Sequence, residues 1–165
     1  MSYTGNGGES SAIANLAESI PHVRMGSGTI GRFVASGSLT AGRYGLYRWD
    51  MPARAHGAAA HFHRTFSESF YVLDGIVSLF NGVDWGAAGP GDYLYVPEGG
   101  IHAFRNDTDE PVSMLILFAP GIEREGYFEE LAKIALTGRT MTEGDWADLY
   151  SRYDQTMVGP DRVGP

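Results

Sequence analysis

Short segments of strand length, each followed by a turn signal, run through the middle of this chain of 165 residues. Residues 44–49 repeat with a period of two and are dominated by strand-forming types, which predicts a strand. Further strands are predicted at residues 69–73, 76–80, 93–96, 102–105 and 112–118. The pairs Asp74-Gly75 and Asn81-Gly82 are typical of hairpins with tight primed turns, and Pro90-Gly91-Asp92 predicts another turn. Six or more strands at this spacing favour a small all-β barrel or sandwich.

The segments on either side of these strands have a different pattern. Residues 1–27 are rich in Gly and Ser, and apolar residues at helical spacing over 13–20 predict one short helix there. After residue 121, one helix is predicted around residues 127–135 and another around 146–153. Thr142 and Asp145 have the spacing of a capping pair before the second helix. We therefore predict an N-terminal arm over 1–27, a β-domain over 28–120 and a helical tail over 121–165 that packs on it.

Composition excludes several classes of function. Twelve Lys and Arg against 20 Asp and Glu give a net charge of -8, which predicts no nucleic-acid partner and no membrane partner. The first 21 residues contain no basic residue and no sustained apolar core, so neither a secretory signal nor a transit peptide is predicted, and a cytoplasmic location is expected. The chain has no cysteine, so any bound metal must be held by imidazole and carboxylate groups.

Three of the five histidines fall in two ordered blocks of sequence. The blocks are His61-x-His63-x4-Glu68-x6-Gly75 and Gly91-x5-Pro97-x-Gly99-x2-His102-x3-Asn106. Side chains two apart in a strand point the same way, so His61 and His63 can offer two imidazoles to one point. Glu68 lies an odd number of positions from both histidines, so in a regular strand its side chain would point to the opposite face. It reaches the same point only if residues 64–67 are irregular. His102, after a turn on a neighbouring strand, would supply a third imidazole.

Three imidazoles and one carboxylate suit Fe(II), Mn(II), Ni(II), Cu(II) or Zn(II), with one or two coordination positions left for substrate, water or dioxygen. In the alternative interpretation the histidines are ordinary barrel residues bonded to backbone carbonyls, and Glu68 pairs with Arg64 or Arg105 at a rim.

The remaining candidates are interpreted as structural. His22 and His56 have no partner at ligand spacing and are predicted to be surface or loop residues, whereas Asn106 is predicted to close a turn. Gly26-x-Gly28-x-x-Gly31 matches a dinucleotide-binding fingerprint, but that site needs a strand before it and a helix after it, and residues 32–35 are predicted to form a strand, so we discount it.

The two blocks resemble the paired signature motifs of the cupin superfamily. The second block matches at all five diagnostic positions, and the first keeps both histidines, the glutamate and Gly75. The first block departs from the pattern at Ala55, where the superfamily has glycine. The resemblance covers about residues 29–119 and implies a small jelly-roll-like barrel with a 3-His-1-Glu metal site. More loosely, the whole chain is similar to small single-domain, quercetin-dioxygenase-like cupins with a helical tail.

This resemblance implies a metal-dependent, dioxygenase-type oxidoreductase that acts on a small enolisable or aromatic substrate. His61, His63, Glu68 and His102 would hold the metal, and Glu68 would also accept the substrate's proton. A homodimer is expected. Two alternatives remain: a non-oxidative isomerase or polyketide-cyclase-like enzyme that uses the same metal, and a metal-containing protein that binds a small molecule without turnover.

Overall fold

The computed structural model describes residues 4–8 and 12–159. Its strands are β1 His22–Arg24, β2 Ile30–Ala35, β3 Gly45–Met51, β4 His61–Phe62, β5 Ser67–Asp74, β6 Val77–Phe80, β7 Trp85–Ala88, β8 Tyr93–Val96, β9 Ala103–Arg105, β10 Val112–Ala119 and β11 Thr156–Met157. The two α-helices are α1 Glu125–Thr137 and α2 Glu143–Arg152. Within the helix predicted over 13–20, the structure has a single 3-10 turn at Ala17–Ser19.

Two antiparallel layers form the β-domain. One is a six-stranded sheet in the order β1-β2-β3-β10-β5-β8, and the other contains the three-stranded sheet β7-β6-β9. Isolated bridges from His56 to Arg105 and from His61 to His102 join β4 and the segment before it to the second layer, and β11 pairs with β4. The predicted all-β class with C-terminal helices is confirmed, as a jelly-roll of facing sheets rather than one continuously bonded barrel.

One predicted hairpin is wrong and another is confirmed. The chain at Asp74-Gly75 passes from the six-stranded sheet to the three-stranded sheet, so β5 and β6 do not form a hairpin. Gly75 has φ of 74°, and a Cβ there would lie 2.5 Å from the Pro111 carbonyl oxygen, which explains the glycine. At Asn81-Gly82, β6 and β7 do form an antiparallel hairpin. Four residues, 81–84, connect the two strands, so the loop is longer than the two-residue turn that this pair predicts.

The core lies between the two layers and follows the predicted period of two. On β3, Tyr47, Trp49 and Met51 are buried, and β10 contributes every second residue from Val112 to Phe118. Burying each large apolar side chain contributes about 1.5–3 kcal/mol.

The two helices close one side of this core. Residue 138, a glycine with φ of 62°, ends α1, and the predicted capping pair begins α2, with Asp145 N donating to Thr142 Oγ1 at 3.1 Å. Arg152 on α2 donates to both carboxylate oxygens of Glu130 on α1, at 2.6 and 2.7 Å. Among the described residues, no helix is both long enough and apolar enough to cross a bilayer.

Candidate metal centre

The four residues singled out from the sequence meet at one buried point. His61 lies on β4, His63 directly follows it, Glu68 lies on β5 and His102 directly precedes β9. One ligand atom from each residue lies within 4.8 Å of the others, and all four side chains are buried. The bridge between His61 and His102 places the second block beside the first. The structure thus brings the predicted set together although 34 residues separate Glu68 from His102.

An irregular segment before Glu68 turns its side chain towards the histidines, as the odd spacing between them requires. Strand β4 ends at Phe62 and β5 begins at Ser67, so the residues between them lie outside any strand. This segment is held by Asp154, which follows α2. Asp154 Oδ2 accepts hydrogen bonds from Arg64 N at 2.9 Å, Thr65 N at 2.8 Å and Thr65 Oγ1 at 2.7 Å. The C-terminal tail therefore fixes the turn between two candidate ligands.

Backbone carbonyls orient all three imidazoles through their Nδ1 atoms. The contacts are His61 Nδ1 to Ala59 O at 2.7 Å, His63 Nδ1 to Asp154 O at 2.7 Å and His102 Nδ1 to Gly100 O at 3.0 Å. Because a carbonyl oxygen only accepts, each Nδ1 carries the hydrogen, and each Nε2 is left as the atom available to the centre. The alternative interpretation correctly gave the histidines carbonyl partners, but those partners fix the ring orientation that metal ligation needs.

The carboxylate of Glu68 is held by two of these rings. Its Oε2 lies 2.7 Å from His102 Nε2 and 3.1 Å from His63 Nε2. Burial raises the Glu68 pKa, but His102 and His63 outweigh that effect and lower it below the usual value. An Nε2 this close to a carboxylate, on a ring whose Nδ1 already carries hydrogen, must itself be protonated or face a cation. A positive charge, from either a proton or a metal ion, is therefore needed between the Glu68 carboxylate and these imidazoles.

The donor set fits a divalent transition metal. Burial lowers the His61 pKa to about 3, so its imidazole is neutral and keeps a free electron pair. Metal–ligand bonds of about 2.0–2.2 Å place opposite ligands about 4 Å apart, close to the spread of these four atoms. The buried group of His61, His63, Glu68 and His102 could therefore bind a metal ion.

The proposed rim pairing of Glu68 is wrong. Arg105 donates instead to Asp107 at 2.7 Å, and the guanidinium of Arg64 lies 5.1 Å from the centre of the Phe62 ring. Neither arginine forms an ion pair with Glu68 among the described residues.

A cavity of about 410 Å³ adjoins the cluster. His61 and Glu68 line it, whereas His63 and His102 do not. Its other walls are mostly apolar and come from both the β-domain and the two helices. They include Trp49, Ile116, Phe118, Tyr127, Phe128, Leu131, Ile134, Trp146 and Tyr150. The helices predicted simply to pack on the sheet thus also form part of a cavity of the size that small molecules occupy.

The remaining sequence candidates have the structural roles that were predicted. His22 and His56 are exposed, although His56 also contributes to the cavity wall. Asn106 is buried and closes its turn, with Oδ1 accepting from Thr108 N at 3.0 Å and Nδ2 donating to Glu110 O at 2.8 Å. Gly99 has φ of 80°, and its N–H donates to His63 O at 2.7 Å.

Sequence reasoning missed two residues beside the centre, Asp154 and Arg124. Arg124 directly precedes α1, lines the cavity and is only 2% exposed, with its guanidinium 4.2 Å from the centre of the Tyr127 ring. Both residues lie in the C-terminal third of the chain, outside the two blocks. An aspartate after a helix and an arginine before one are common on protein surfaces, so the local sequence contains no signal for either role.

The central part of the chain is similar to known proteins. The Cupin domain family matches residues 47–118. Quercetin 2,3-dioxygenase of Bacillus subtilis (strain 168) is 28% identical over 91 residues, which are 55% of this chain and 26% of that protein. The chain thus aligns with about a quarter of the length of this curated relative.

Solved structures have the same fold. KdgF from Halomonas sp. superposes with a TM-score of 0.61 at 16% identity, covering 70% of this chain and 99% of that chain. The polyketide cyclase RemF from Streptomyces resistomycificus superposes with a TM-score of 0.56 at 17% identity, covering 76% of this chain and 99% of that chain. Residues 47–118 thus match the Cupin domain family, and the fold of the described residues is similar to the folds of these solved structures.

Proposed function

We propose that this protein is a metal-dependent, dioxygenase-type oxidoreductase that acts on a small enolisable or aromatic substrate. The observation that carries the proposal is a buried donor set of three imidazoles and one carboxylate on the wall of an apolar cavity of about 410 Å³. The similarity to quercetin 2,3-dioxygenase supports the oxidative form of this chemistry. His61, His63, Glu68 and His102 are the proposed ligands.

Each part of the site has a role in this proposal. A divalent metal held here would act as a Lewis acid and, if redox-active, would allow dioxygen to react with the substrate. Glu68 lines the cavity as a carboxylate, so it can accept a proton from an enolisable substrate. The aromatic side chains of α1 and α2 line the cavity and would limit the access of water to the reacting groups.

A non-oxidative cyclase or isomerase is the second candidate. The similarity to the polyketide cyclase RemF favours it, because that superposition spans nearly the whole of the cyclase. Three imidazoles and a carboxylate also suit zinc, which needs no oxidant to stabilise an enolate.

Oxygen dependence separates these candidates. The protein would be loaded separately with iron, manganese, nickel, copper and zinc, and given flavonols, β-diketones and 2-oxo acids while oxygen uptake and products are measured. The proposal expects uptake with at least one redox-active metal and a loss of at least 100-fold in Glu68→Gln. His22→Ala, which changes an exposed histidine, is the matched control.

Three outcomes would contradict the oxidative proposal. Equal turnover with and without oxygen would favour the cyclase or isomerase. Tight binding of a ligand that is recovered unchanged would favour a binding protein without turnover. Absence of oxygen uptake across the whole panel of metals would reject the dioxygenase form.

A further inference from the structure

Arg124 is a buried cation with no carboxylate partner among the residues the structure describes. Its Nη1 donates to the backbone oxygen of Tyr153 at 2.8 Å, and its Nη2 donates to Gln155 Oε1 at 3.0 Å. Both acceptors are neutral. Buried charges in proteins are normally paired, because taking an uncompensated ion out of water is costly.

The Nε–H of Arg124 is also buried and has no hydrogen-bond partner in residues 4–8 and 12–159. A guanidinium has five N–H groups, so the two hydrogen bonds leave most of its donors unused. Aromatic rings surround it at 4.2–5.7 Å from their centres, those of Phe66, Phe118, Tyr127 and Phe128. Such rings favour the charge, but they offer no acceptor to donors in the guanidinium plane.

Arg124 faces the cavity shared with His61 and Glu68. Burial lowers the Arg124 pKa. The charges of Tyr127 and Glu68 are the leading ones that oppose this effect, so the Glu68 carboxylate lies near enough to interact with the Arg124 guanidinium. The Glu68 carboxylate, however, is already bonded to His63 and His102. A divalent metal on these residues would add more positive charge than Glu68 compensates. With such a metal bound, the cavity would combine apolar walls with an excess of positive charge.

We propose that Arg124 binds a carboxylate group of the substrate, so that the cavity takes small apolar or aromatic carboxylates in preference to uncharged molecules. The planar guanidinium matches a carboxylate, and its unpartnered Nε–H shows that no described residue uses its full capacity to donate. The apolar part of the ligand packs on the aromatic walls. This inference rests on the proposed function for its reaction, but it concerns binding and is tested without turnover.

Two probes that differ in charge and hardly in shape test this subsite, 3-phenylpropionate and 3-phenylpropanamide. Their affinities for the full chain loaded with Zn(II) would be measured by isothermal titration calorimetry. We expect the parent to bind the carboxylate at least tenfold more tightly than the amide. Arg124→Met keeps a long apolar side chain and should reduce that preference at least fivefold, with the amide affinity changed by less than threefold. Because Zn(II) is present in both proteins, direct contact of the carboxylate with the metal contributes equally.

Arg43→Met is the matched control, since Arg43 is exposed and lies outside the cavity. It should keep the full preference. If Arg124→Met does not fold, as judged by circular dichroism, Arg124→Lys replaces it. This variant retains the charge but loses the planar donors, so it should show a reduced preference.

The proposal is overturned if the parent shows no preference, if it binds neither probe at millimolar concentration, or if the folded Arg124 variant keeps the parent's preference. These outcomes are distinct from failure of the proposed function. A protein that prefers carboxylates but consumes no oxygen supports the Arg124 subsite alone. A protein that oxidises uncharged enols without any such preference supports the dioxygenase alone.

Discussion

Asp154 connects the C-terminal tail to the candidate metal centre in two ways. Its side chain accepts three hydrogen bonds from Arg64 and Thr65, and its backbone oxygen holds His63 Nδ1 at 2.7 Å. Asp154→Ala removes all three side-chain bonds. At about 1 kcal/mol for each bond of a half-buried carboxylate, the free energy of unfolding should fall by about 2–4 kcal/mol.

The same substitution should also weaken metal binding. Without its side chain, Asp154 no longer fixes the turn between His63 and Glu68, and the carbonyl that orients His63 is itself less constrained. Loss of groups that orient metal ligands typically costs about 10- to 100-fold in affinity, so we expect the dissociation constant for Zn(II) to rise at least tenfold. Urea denaturation would measure the stability, and competition with a chelating dye would measure the affinity.

Two further variants separate hydrogen bonding from backbone strain. Asp154 has φ of 49°, a left-handed conformation that aspartate, asparagine and glycine tolerate better than alanine. Asp154→Asn keeps an oxygen acceptor and should lose less than half as much stability as Asp154→Ala. Asp154→Gly removes the side chain without that strain and should still lose affinity. If folded Asp154→Ala and Asp154→Gly both bind Zn(II) as tightly as the parent, the proposed connection to the metal centre is wrong.

Three other perturbations follow from the same structure. His102→Ala should lose most of the metal measured by elemental analysis, whereas Glu68→Gln should retain part of it, and metal content equal to the parent in His102→Ala would contradict the ligand assignment. Leu149→Ala should lower the free energy of unfolding by about 2–4 kcal/mol because Leu149 is 1% exposed, whereas Leu136→Ala, at an 88% exposed position, should change it by less than about 0.5 kcal/mol. The pKa of Glu130 is lowered to about 2, chiefly by the hydrogen bond from Arg152 on α2. Because this ion pair is largely exposed, Glu130→Gln should lower the free energy of unfolding at pH 7 by at most about 1 kcal/mol. That cost should disappear as the pH falls from about 5 to about 2, and a difference between variant and parent that stays constant in denaturation measurements over this range would refute the linkage.

The sequence predicted most of the secondary structure because its signals are local. The strand at β8 was predicted at its observed bounds, and the Thr142–Asp145 cap lies where its spacing placed it. The hairpin predicted at Asp74-Gly75 is wrong because the sequence there indicates only a glycine with positive φ. That conformation occurs both in hairpins and, as here, where the chain passes from one sheet to another. Which partner the following strand joins depends on the packing of both layers. The expected homodimer stays a prediction, which a sedimentation mass would test.

The candidate ligands could be predicted because their spacing follows strand geometry. His61 and His63 are two positions apart and therefore point the same way, and an irregular segment before Glu68 lets its side chain reach the same point. The tertiary structure alone decided what surrounds them. Residues 124 and 154 are recruited from the tail, far along the chain, and their side chains act through a cavity wall and a turn that do not exist until the helices pack on the sheets. Period and spacing specify the direction in which a side chain points, whereas contacts between distant segments depend on how whole elements pack, and no local pattern encodes them.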